Sequence, residues 1–280
     1  MKLRHCIIAL GLAITLGGCA TASKERMREV REFAAESAKL DAFAELSERY
    51  RDTYQREQPY LSRQADARER ELDVRRRAAY DDIVRIQQAV VRYLHTLGTL
   101  AGAEQKRHPA PAAQAGAAIQ SWPDSGIDER HVAAYTSLTT LVANTLSAPY
   151  QDRAVRAMVN DGDAPLRSLL DAMAALLRYY DKTGANEKRI VLGLFDIEIA
   201  FADAPRDRLL ATLARAHQQN KAAEYSLVER RHRVAEHNLA ALIQGQRALA
   251  AQLGQPPEPT PAAPGADVRA SRAAPDASQH

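Results

Sequence analysis

The sequence has few of the residues on which disulfide scaffolds, strand-rich domains and thiol enzymes depend. It contains two cysteines, 13 glycines, one tryptophan and 5% aromatic residues in 280. Two cysteines cannot form a disulfide framework. Little glycine and few aromatic residues argue against a fold built from many short strands and tight turns. These absences favour a helical protein.

Long hydrophobic runs are also missing. The apolar run from Cys6 to Thr15 is shorter than the about 20 residues that a membrane-spanning helix needs. It follows a basic start, Met1–His5, and precedes two glycines. A basic start, a short apolar run and a cleavage site of small residues are typical of a removable signal peptide. The next residues, Leu16-Gly17-Gly18-Cys19, resemble the lipobox of bacterial lipoproteins.

That resemblance implies cleavage after Gly18 and a diacylglyceryl thioether, with palmitate-type chains, on Cys19. The alternative is an ordinary signal peptide with a cysteine there by chance. Ala20, instead of an aspartate, favours the outer membrane, facing the periplasm. Two or three acyl chains hold a protein at a membrane permanently. Loss of Lys2 and Arg4 with the signal lowers the formal net charge from +3 to +1, which disfavours nucleic acid as a partner.

The remaining chain is predicted to form one all-α domain, an antiparallel bundle of about seven helices. We expect a lipidated tether over 19–23, the bundle over 24–253, and a disordered Pro/Ala-rich tail over 254–280. Apolar residues three and four apart indicate the helices. The predicted helices span 24–57, 60–103, 128–146, 149–159, 164–182, 186–202 and 203–253.

Breaks between the helices are predicted from turn residues. Pro59 indicates a hairpin turn, and the Pro-rich stretch 104–127 a loop in which Trp122 covers an edge of the core. Asn160-Asp161-Gly162 is expected to end one helix. Asp163 would cap the next, with Pro165 in its first turn, and Gly184 would stop it. Segment 190–201 fits either a strand or a helix, and a helix is favoured because no partner strand exists.

Each helix carries an apolar row, and the compact core is predicted to come from 83–103, 128–201 and both ends of the last helix, whose middle, 215–238, is rich in charge and glutamine. The first, second and last helices also carry long charged stretches, which predict a stalk with the Pro59 turn at its far tip. The strongest rows are Ile83, Ile86, Val90, Leu94, Leu97 and Ala101; Leu166, Leu169, Leu170, Met173, Leu177 and Tyr180; and Leu209, Leu213, Leu227, Val234, Leu242, Leu249 and Leu253.

No motif indicates catalysis. G-x-S-x-G, P-loop and G-x-G-x-x-G patterns are absent, and no cysteine remains for a nucleophile. His232, Glu236 and His237 lack the spacing of a helical zinc site, and Asn160–Asp163 lacks the last ligand of a calcium loop. Arg75–Arg77 and Arg230–Arg233 are interpreted as solvated faces, and Tyr179-Tyr180 as core. We therefore expect no catalytic, cofactor or metal site.

The favoured function is a non-catalytic scaffold or adaptor, held at the membrane by Cys19, that binds another protein. Similarity to helical lipoproteins of Gram-negative bacteria rests on the lipobox alone and carries over no binding residue. An immunity-type lipoprotein that neutralises an exported toxin is one alternative. A sensor or carrier of a small ligand is another, and it predicts a sizeable apolar cavity between the inner helices. A hydrolase with unrecognised residues is the least favoured.

Overall fold

The computed structural model describes residues 23–102, 118–145, 152–202 and 204–254. The predicted all-α bundle is confirmed: these ranges contain helices and one isolated bridge, between Trp122 and Ile127, but no strand. The predictions for the signal peptide, Cys19, the tether, the tail beyond 254 and most of the 104–127 loop lie outside the described residues. The α-helices are α1 (23–35), α2 (Asp41–Arg51), α3 (Thr53–Glu57), α4 (Arg63–Leu100), α5 (Glu129–Thr145), α6 (Asp152–Ala200) and α7 (Arg208–Leu253).

The predicted first helix, 24–57, is three helices. A 3-10 turn over Glu36–Leu40 separates α1 from α2, and Asp52 separates α2 from α3. Asp52 leaves the helical conformation with ψ at 16°, and its carboxylate binds the Arg51 guanidinium at 2.7 Å. The predicted turn at Pro59 is confirmed, since a 3-10 turn over Gln58–Tyr60 precedes α4.

The predicted helices 149–159, 164–182 and 186–202 are one continuous helix, the 49-residue α6. The expected ends at Asn160–Gly162 and Gly184 are therefore wrong, and Pro165 lies inside the helix. A glycine costs about 1 kcal/mol and a proline about 3 kcal/mol within a helix. Burial of α6 against α4, α5 and α7 outweighs that cost. Segment 190–201 is helical, as favoured.

Gly162 serves packing rather than helix termination. A Cβ at this position would lie 2.5 Å from Cε2 of Tyr93, so only glycine lets α4 approach α6 this closely. Asp163, predicted as a helix cap, instead accepts a hydrogen bond from Gln246 on α7 at 3.2 Å. It also pairs with Arg167 one turn later at 2.7 Å. Both residues connect α6 to its neighbours.

The core follows two of the three strongest predicted rows. All six residues of the α4 row and all six of the 166–180 row are buried. The prediction for α7 is wrong at its N-terminal end: Leu242, Leu249 and Leu253 are buried as expected, but Leu209 and Leu213 are exposed, as are Leu227 and Val234 in the charged middle of the helix. The face of α7 that packs inward there passes through Tyr225, His232 and Leu239, which are buried and seven residues apart.

Contacts along α7 fix the direction of its neighbours. Lys39 and Glu45, before and within α2, meet Asn238 and Arg231 of α7, so the N-terminal helices run antiparallel to α7. Helix α6 is also antiparallel, because Arg156 near its start donates to the carbonyl of Leu253. One end of the bundle, here called the base, therefore holds the start of α1, the start of α6 and the end of α7.

The far end of the molecule is the α6–α7 hairpin, not the Pro59 turn. Tyr60 hydrogen bonds to His217 at 2.9 Å and packs on Phe195, which places the Pro59 turn beside the outer part of the hairpin but short of its end. Beyond His217, α7 continues to Arg208, another nine residues or about 14 Å. The elongated part consists of α6 and α7, and the predicted stalk of first, second and last helices is corrected accordingly.

Candidate functional site

Large apolar side chains are exposed at the far end of the α6–α7 hairpin. We call Ile197, Phe201, Leu209 and Leu210 the hairpin tip. Their exposed fractions are 58%, 81%, 72% and 65%. Soluble proteins seldom leave large apolar side chains exposed together, and such patches mark interaction sites. The hairpin tip is therefore the first candidate for a functional surface.

The hairpin tip is exposed because the first hairpin of the chain is too short to cover it. Leu210 belongs to a row on α7 with His217, Glu224 and Arg231, spaced seven residues apart. The latter three contact Tyr60, Arg49 and Glu45, respectively. The first hairpin ends at the Gln58–Tyr60 turn, so Leu210 lies on the side of α7 that this hairpin covers but beyond the hairpin's end.

Charges beside the hairpin tip are mixed. Asp196 and Glu198 precede the turn, and Arg206, Asp207 and Arg208 follow it. Asp196 accepts a hydrogen bond from Gln218 at 2.6 Å. A surface that attracts anionic lipid or nucleic acid needs an excess of positive charge. The mixture here favours a protein surface over either of these.

A buried ion network lies between α2, α3, α6 and α7, below the hairpin tip. Its centre is Glu187, whose side chain is 1% exposed. Arg49 donates to it at 2.9 Å, Arg56 at 2.8 and 3.0 Å, and the Tyr225 hydroxyl at 3.2 Å. A buried carboxylate is tolerated when its lone pairs are satisfied in this way. The network fixes the junction of the two hairpins and uses most of the hydrogen-bonding capacity of Glu187.

Glu57, at the end of α3, is a second buried carboxyl with different surroundings. It is 1% exposed, and neither of its oxygens has a hydrogen-bond partner in the described part of the chain. Burial raises the pKa of Glu57 to about 7, and the nearby charges of Glu69 and Glu187 add to this, although Arg76 and Arg56 oppose it. Glu57 is therefore a group that changes charge near neutral pH.

A cleft of about 190 Å³ opens beside the ion network. Its apolar walls come from Tyr50, Tyr180 and Tyr225 with Leu46 and Val228, and charged side chains line the rest. Burial raises the pKa of the Tyr180 and Tyr225 hydroxyls, and Glu187 adds to the effect at Tyr225. Both phenols stay protonated at neutral pH. The Tyr225 hydroxyl donates to Glu187, and the Tyr180 hydroxyl bonds to Ser47 at 3.1 Å, so their oxygens can accept from a small ligand but are not bases or nucleophiles.

The structure corrects two predicted solvated faces. Arg76 is buried and pairs with Glu69 at 2.6 Å, while Arg75 and Arg77 are exposed. His232 is also buried and hydrogen bonds through Nε2 to the carbonyl of Leu177 at 2.7 Å. The three arginines beside it, Arg230, Arg231 and Arg233, are exposed as predicted.

The remaining predicted residues occupy unremarkable places. Glu236 lies 3.6 Å from His232, and His237 is exposed. Within the described ranges, no three histidine, cysteine or acidic side chains are grouped to hold a metal ion. Tyr180 packs on Phe43 and Tyr50 as core, whereas Tyr179 is 40% exposed.

Trp122 covers an edge of the core as predicted. It is partly buried, packs against the hydrophobic cluster, and donates from Nε1 to Asp82 at 2.8 Å. The sequence reasoning missed Glu57, Glu187 and the hairpin tip. The tip had a usable signal: the apolar residues of 186–202 and of early α7 face the same end of one hairpin, and the first hairpin, which turns at Pro59, is too short to cover them.

Comparison with protein-family models, with curated proteins and with solved structures finds no match for this chain. None of the described helices combines the length and apolar character that crossing a bilayer requires. The functional argument therefore rests on the geometry of the chain itself.

Proposed function

We propose that this protein is a lipid-anchored, non-catalytic adaptor of the outer membrane that faces the periplasm and binds another protein through the hairpin tip. The observation that carries the proposal is the exposed apolar tip. Five of the ten exposed large hydrophobic residues in the described part of the chain lie between 197 and 213. That concentration at one end favours a dedicated contact surface over scattered surface hydrophobicity.

The partner that fits is a protein with an apolar groove. The ends of two antiparallel helices form a narrow ridge, and amphipathic helices bind proteins by placing such a ridge into a groove. The acidic residues Asp196, Glu198 and Asp207 beside the tip would be repelled by an anionic lipid surface. They are compatible with the polar rim of a protein interface.

Placement of the two ends supports the same proposal. The start of α1 lies at the base, because Phe33 packs against Gly245 and the preceding residues continue toward the end of α7. A lipid on Cys19 is four residues before residue 23, within about 14 Å of it. Helix α7 has 46 residues, so the hairpin tip stands about 70 Å from the base. The anchor and the contact surface are thus at opposite ends.

The binding part is tested by cross-linking and affinity recovery from intact cells. We expect one stoichiometric protein partner with the wild-type chain and its loss in the double variant Phe201→Ser, Leu210→Ser. The matched control is Val74→Ser on α4, since Val74 and Leu210 are both 65% exposed. Equal recovery of the partner with both variants would contradict the assignment to the hairpin tip.

The anchoring part is tested separately. Replacement of Cys19 by alanine removes the only thiol of the exported chain, so we expect Cys19→Ala to move from the membrane fraction to the soluble fraction. Retention of the variant in the membrane fraction would refute lipid anchoring and leave the tip proposal standing. Metabolic labelling with palmitate, lost in the variant, provides an independent measurement.

The cleft beside the ion network favours a second function, that of a small-ligand sensor or carrier. Tyr50, Tyr180 and Tyr225 supply apolar walls, and the hydroxyl oxygens of Tyr180 and Tyr225 can accept hydrogen bonds. The cleft differs from the apolar cavity predicted between the inner helices, because Glu187, Arg49 and other charged groups line much of it. Thermal stabilisation by a small-molecule collection, abolished in Tyr180→Phe with Tyr225→Phe, tests this function. Absence of any stabilising compound argues against it.

A further inference from the structure

The outer face of α7 carries a second unused apolar surface. Leu213, Ala216, Asn220, Ala223 and Leu227 follow one another at spacings of three, four, three and four residues, and all five are exposed. We call these residues the seam. Leu209 of the hairpin tip continues the row upward. Alternating spacings of three and four are the a and d positions of a coiled-coil heptad.

The seam lies on the opposite side of α7 from the bundle core. Residues in the middle of the inward face, Tyr225 and His232, are buried against Glu187 and Leu177. They occupy heptad position f when Leu213 is position a, and f is the position farthest from a coiled-coil partner. Helix α7 therefore has one face packed within the chain and one heptad face that the rest of the described chain leaves exposed.

We infer that the seam pairs with the seam of a second copy of this chain, side by side and parallel. Asn220 indicates both which partner binds the seam and the relative direction of the two paired helices. A single asparagine among the a positions of a coiled coil specifies a parallel, in-register pair, because each amide hydrogen bonds to the same residue across the interface. An apolar partner helix, or an antiparallel pair that places Ala216 or Ala223 opposite Asn220, would bury this amide without a hydrogen-bond partner, which is unfavourable.

The residues beside the seam are compatible with this pairing. In a parallel pair, position g of one helix meets position e of the other, which places Gln219 near Glu224 of the second copy and Ser226 near Arg231 of the second copy. Neither contact brings like charges together. The next d position below Leu227 is Arg230, and two copies would bring these charges face to face, so the paired stretch ends at Leu227. Counted from Leu209 to Leu227, the paired stretch covers about 28 Å of α7.

In a parallel dimer the bases of the two copies lie at the same end. Two copies anchored in one membrane can therefore form this dimer. This compatibility rests on the proposed function, whereas the pairing itself does not. The interface is short, and we expect dissociation in the micromolar range for the unanchored protein. Attachment to one membrane raises the effective concentration of the second copy and favours the dimer.

Disulfide cross-linking of the full chain in cells tests the pairing directly. Two symmetry-related d positions face each other in a parallel dimer, so Ala216→Cys and Ala223→Cys should each give an oxidised band of two chains. Arg215→Cys is the matched control: Arg215 is exposed, adjacent to Ala216, and turned away from the seam. The wild-type chain measures the background from its own cysteines. A band that contains a different protein, or equal cross-linking at all three positions, overturns the inference.

Variants separate this inference from the proposed function. Leu213→Glu with Leu227→Glu should abolish the cross-linked dimer of Ala216→Cys and leave the helical circular dichroism signal unchanged, because both leucines are exposed. Phe201→Ser with Leu210→Ser should leave the dimer intact while the protein partner is lost. If the cross-linked dimer still forms in the variant with both glutamates, the seam is not the dimer interface. Loss of the partner alone concerns only the hairpin tip.

Discussion

Helix α6 has two regions that look alike in sequence and differ in structure. Its first half carries Leu166, Leu170 and Leu177, all fully buried between α4, α5 and α7. Its last turns carry Ile197 and Phe201 at the same kind of helical spacing, and both are exposed. The difference teaches that an amphipathic pattern predicts a helix with an apolar face but not whether the chain supplies a partner for that face.

Helix α7 repeats the contrast in the opposite direction along the chain. Its N-terminal residues Leu209 and Leu213 are exposed, while Leu242 and Leu249 near the base are buried. The body of the bundle, from the base up to Glu187, is closed by four or more helices. Above it, α6 and α7 form what we call the upper hairpin, which Tyr60 contacts at Phe195 and His217 and which extends beyond the rest of the described chain. The predictions below test whether the body carries the stability of the molecule and the upper hairpin carries its contacts.

The largest effect is expected at the border of the two regions. Glu187→Ala removes the carboxylate that neutralises Arg49 and Arg56, and leaves two largely buried guanidinium groups without it. Breaking a buried ion pair costs about 3–5 kcal/mol. We expect a loss of this size in the free energy of unfolding, measured by urea denaturation.

Glu229→Ala is the control for this variant. Glu229 also pairs with a cation across the α6–α7 contact, Lys188 at 2.7 Å, but both side chains are 40% exposed or more. Exposed ion pairs contribute about 0–1 kcal/mol. Similar losses in the two variants would show that burial of the network adds nothing to the free energy of unfolding. The body and the upper hairpin would then not differ in stability at this point.

The next largest effect contrasts leucines of the two regions. Leu170 is fully buried, and Leu170→Ala should destabilise the protein by about 2–5 kcal/mol through the cavity it leaves. Leu213 is 59% exposed, and Leu213→Ala should change the free energy of unfolding by less than about 0.5 kcal/mol. Urea denaturation of dilute, unanchored protein measures both. A large loss for Leu213→Ala would mean that the upper hairpin has a packing partner within the chain.

Helix periodicity predicted most of the fold, because it depends on local sequence. The rows at 83–101 and 166–180 are buried in full, and the end of α7 at Leu253 lies where it was expected. The breaks inside α6 were wrong, since Gly162, Pro165 and Gly184 have turn propensity but lie in a helix held by three neighbours. Tertiary packing outweighed local propensity there, and periodicity contains no information about that packing.

The candidate site was less predictable for a related reason. Glu57 and Glu187 look like ordinary charged residues of solvated helix faces, and their burial depends on which helices meet above Tyr50. Similarly, the α7 row through Leu213 and Leu227 predicts an apolar face but not the direction in which that face points. Whether that face points toward the core or away from it follows from the buried positions of Tyr225 and His232 seven residues apart.

Glu57 gives a pH-dependent test of the body. The pKa of its carboxyl is raised from 4.5 to about 7 in the folded chain, so the folded state binds the proton more tightly than the unfolded state. This stabilisation is fully present below pH 4.5 and is lost as the pH rises to about 7. The loss is about 3 kcal/mol at most.

The variant Glu57→Gln keeps the shape of the side chain and removes its ionisation. We expect the variant to gain stability relative to the wild type between pH 5 and pH 8, by up to about 3 kcal/mol. Urea denaturation at both pH values measures the change. Glu198→Gln, in the exposed last turns of α6, should show no such trend. Parallel pH profiles for wild type and Glu57→Gln would mean that water reaches this carboxyl.

The smallest expected effects come from two glycines of α6, and they should have opposite signs. A Cβ at Gly162 would meet the Tyr93 ring at 2.5 Å, so Gly162→Ala must displace a fully buried side chain. Overpacking of this kind costs about 1–3 kcal/mol. At Gly193, in the upper hairpin, a Cβ would have no atom within 4 Å.

Gly193→Ala should therefore stabilise the protein by about 0.5–1 kcal/mol, because alanine loses less conformational freedom than glycine within a helix. Thermal unfolding of the two variants beside the wild type measures the sign of each change. A stabilising Gly162→Ala would mean that α4 and α6 are not in close contact at this position. It would contradict the tight packing of the body. A destabilising Gly193→Ala would place a neighbour beside the upper hairpin that the described part of the chain does not supply.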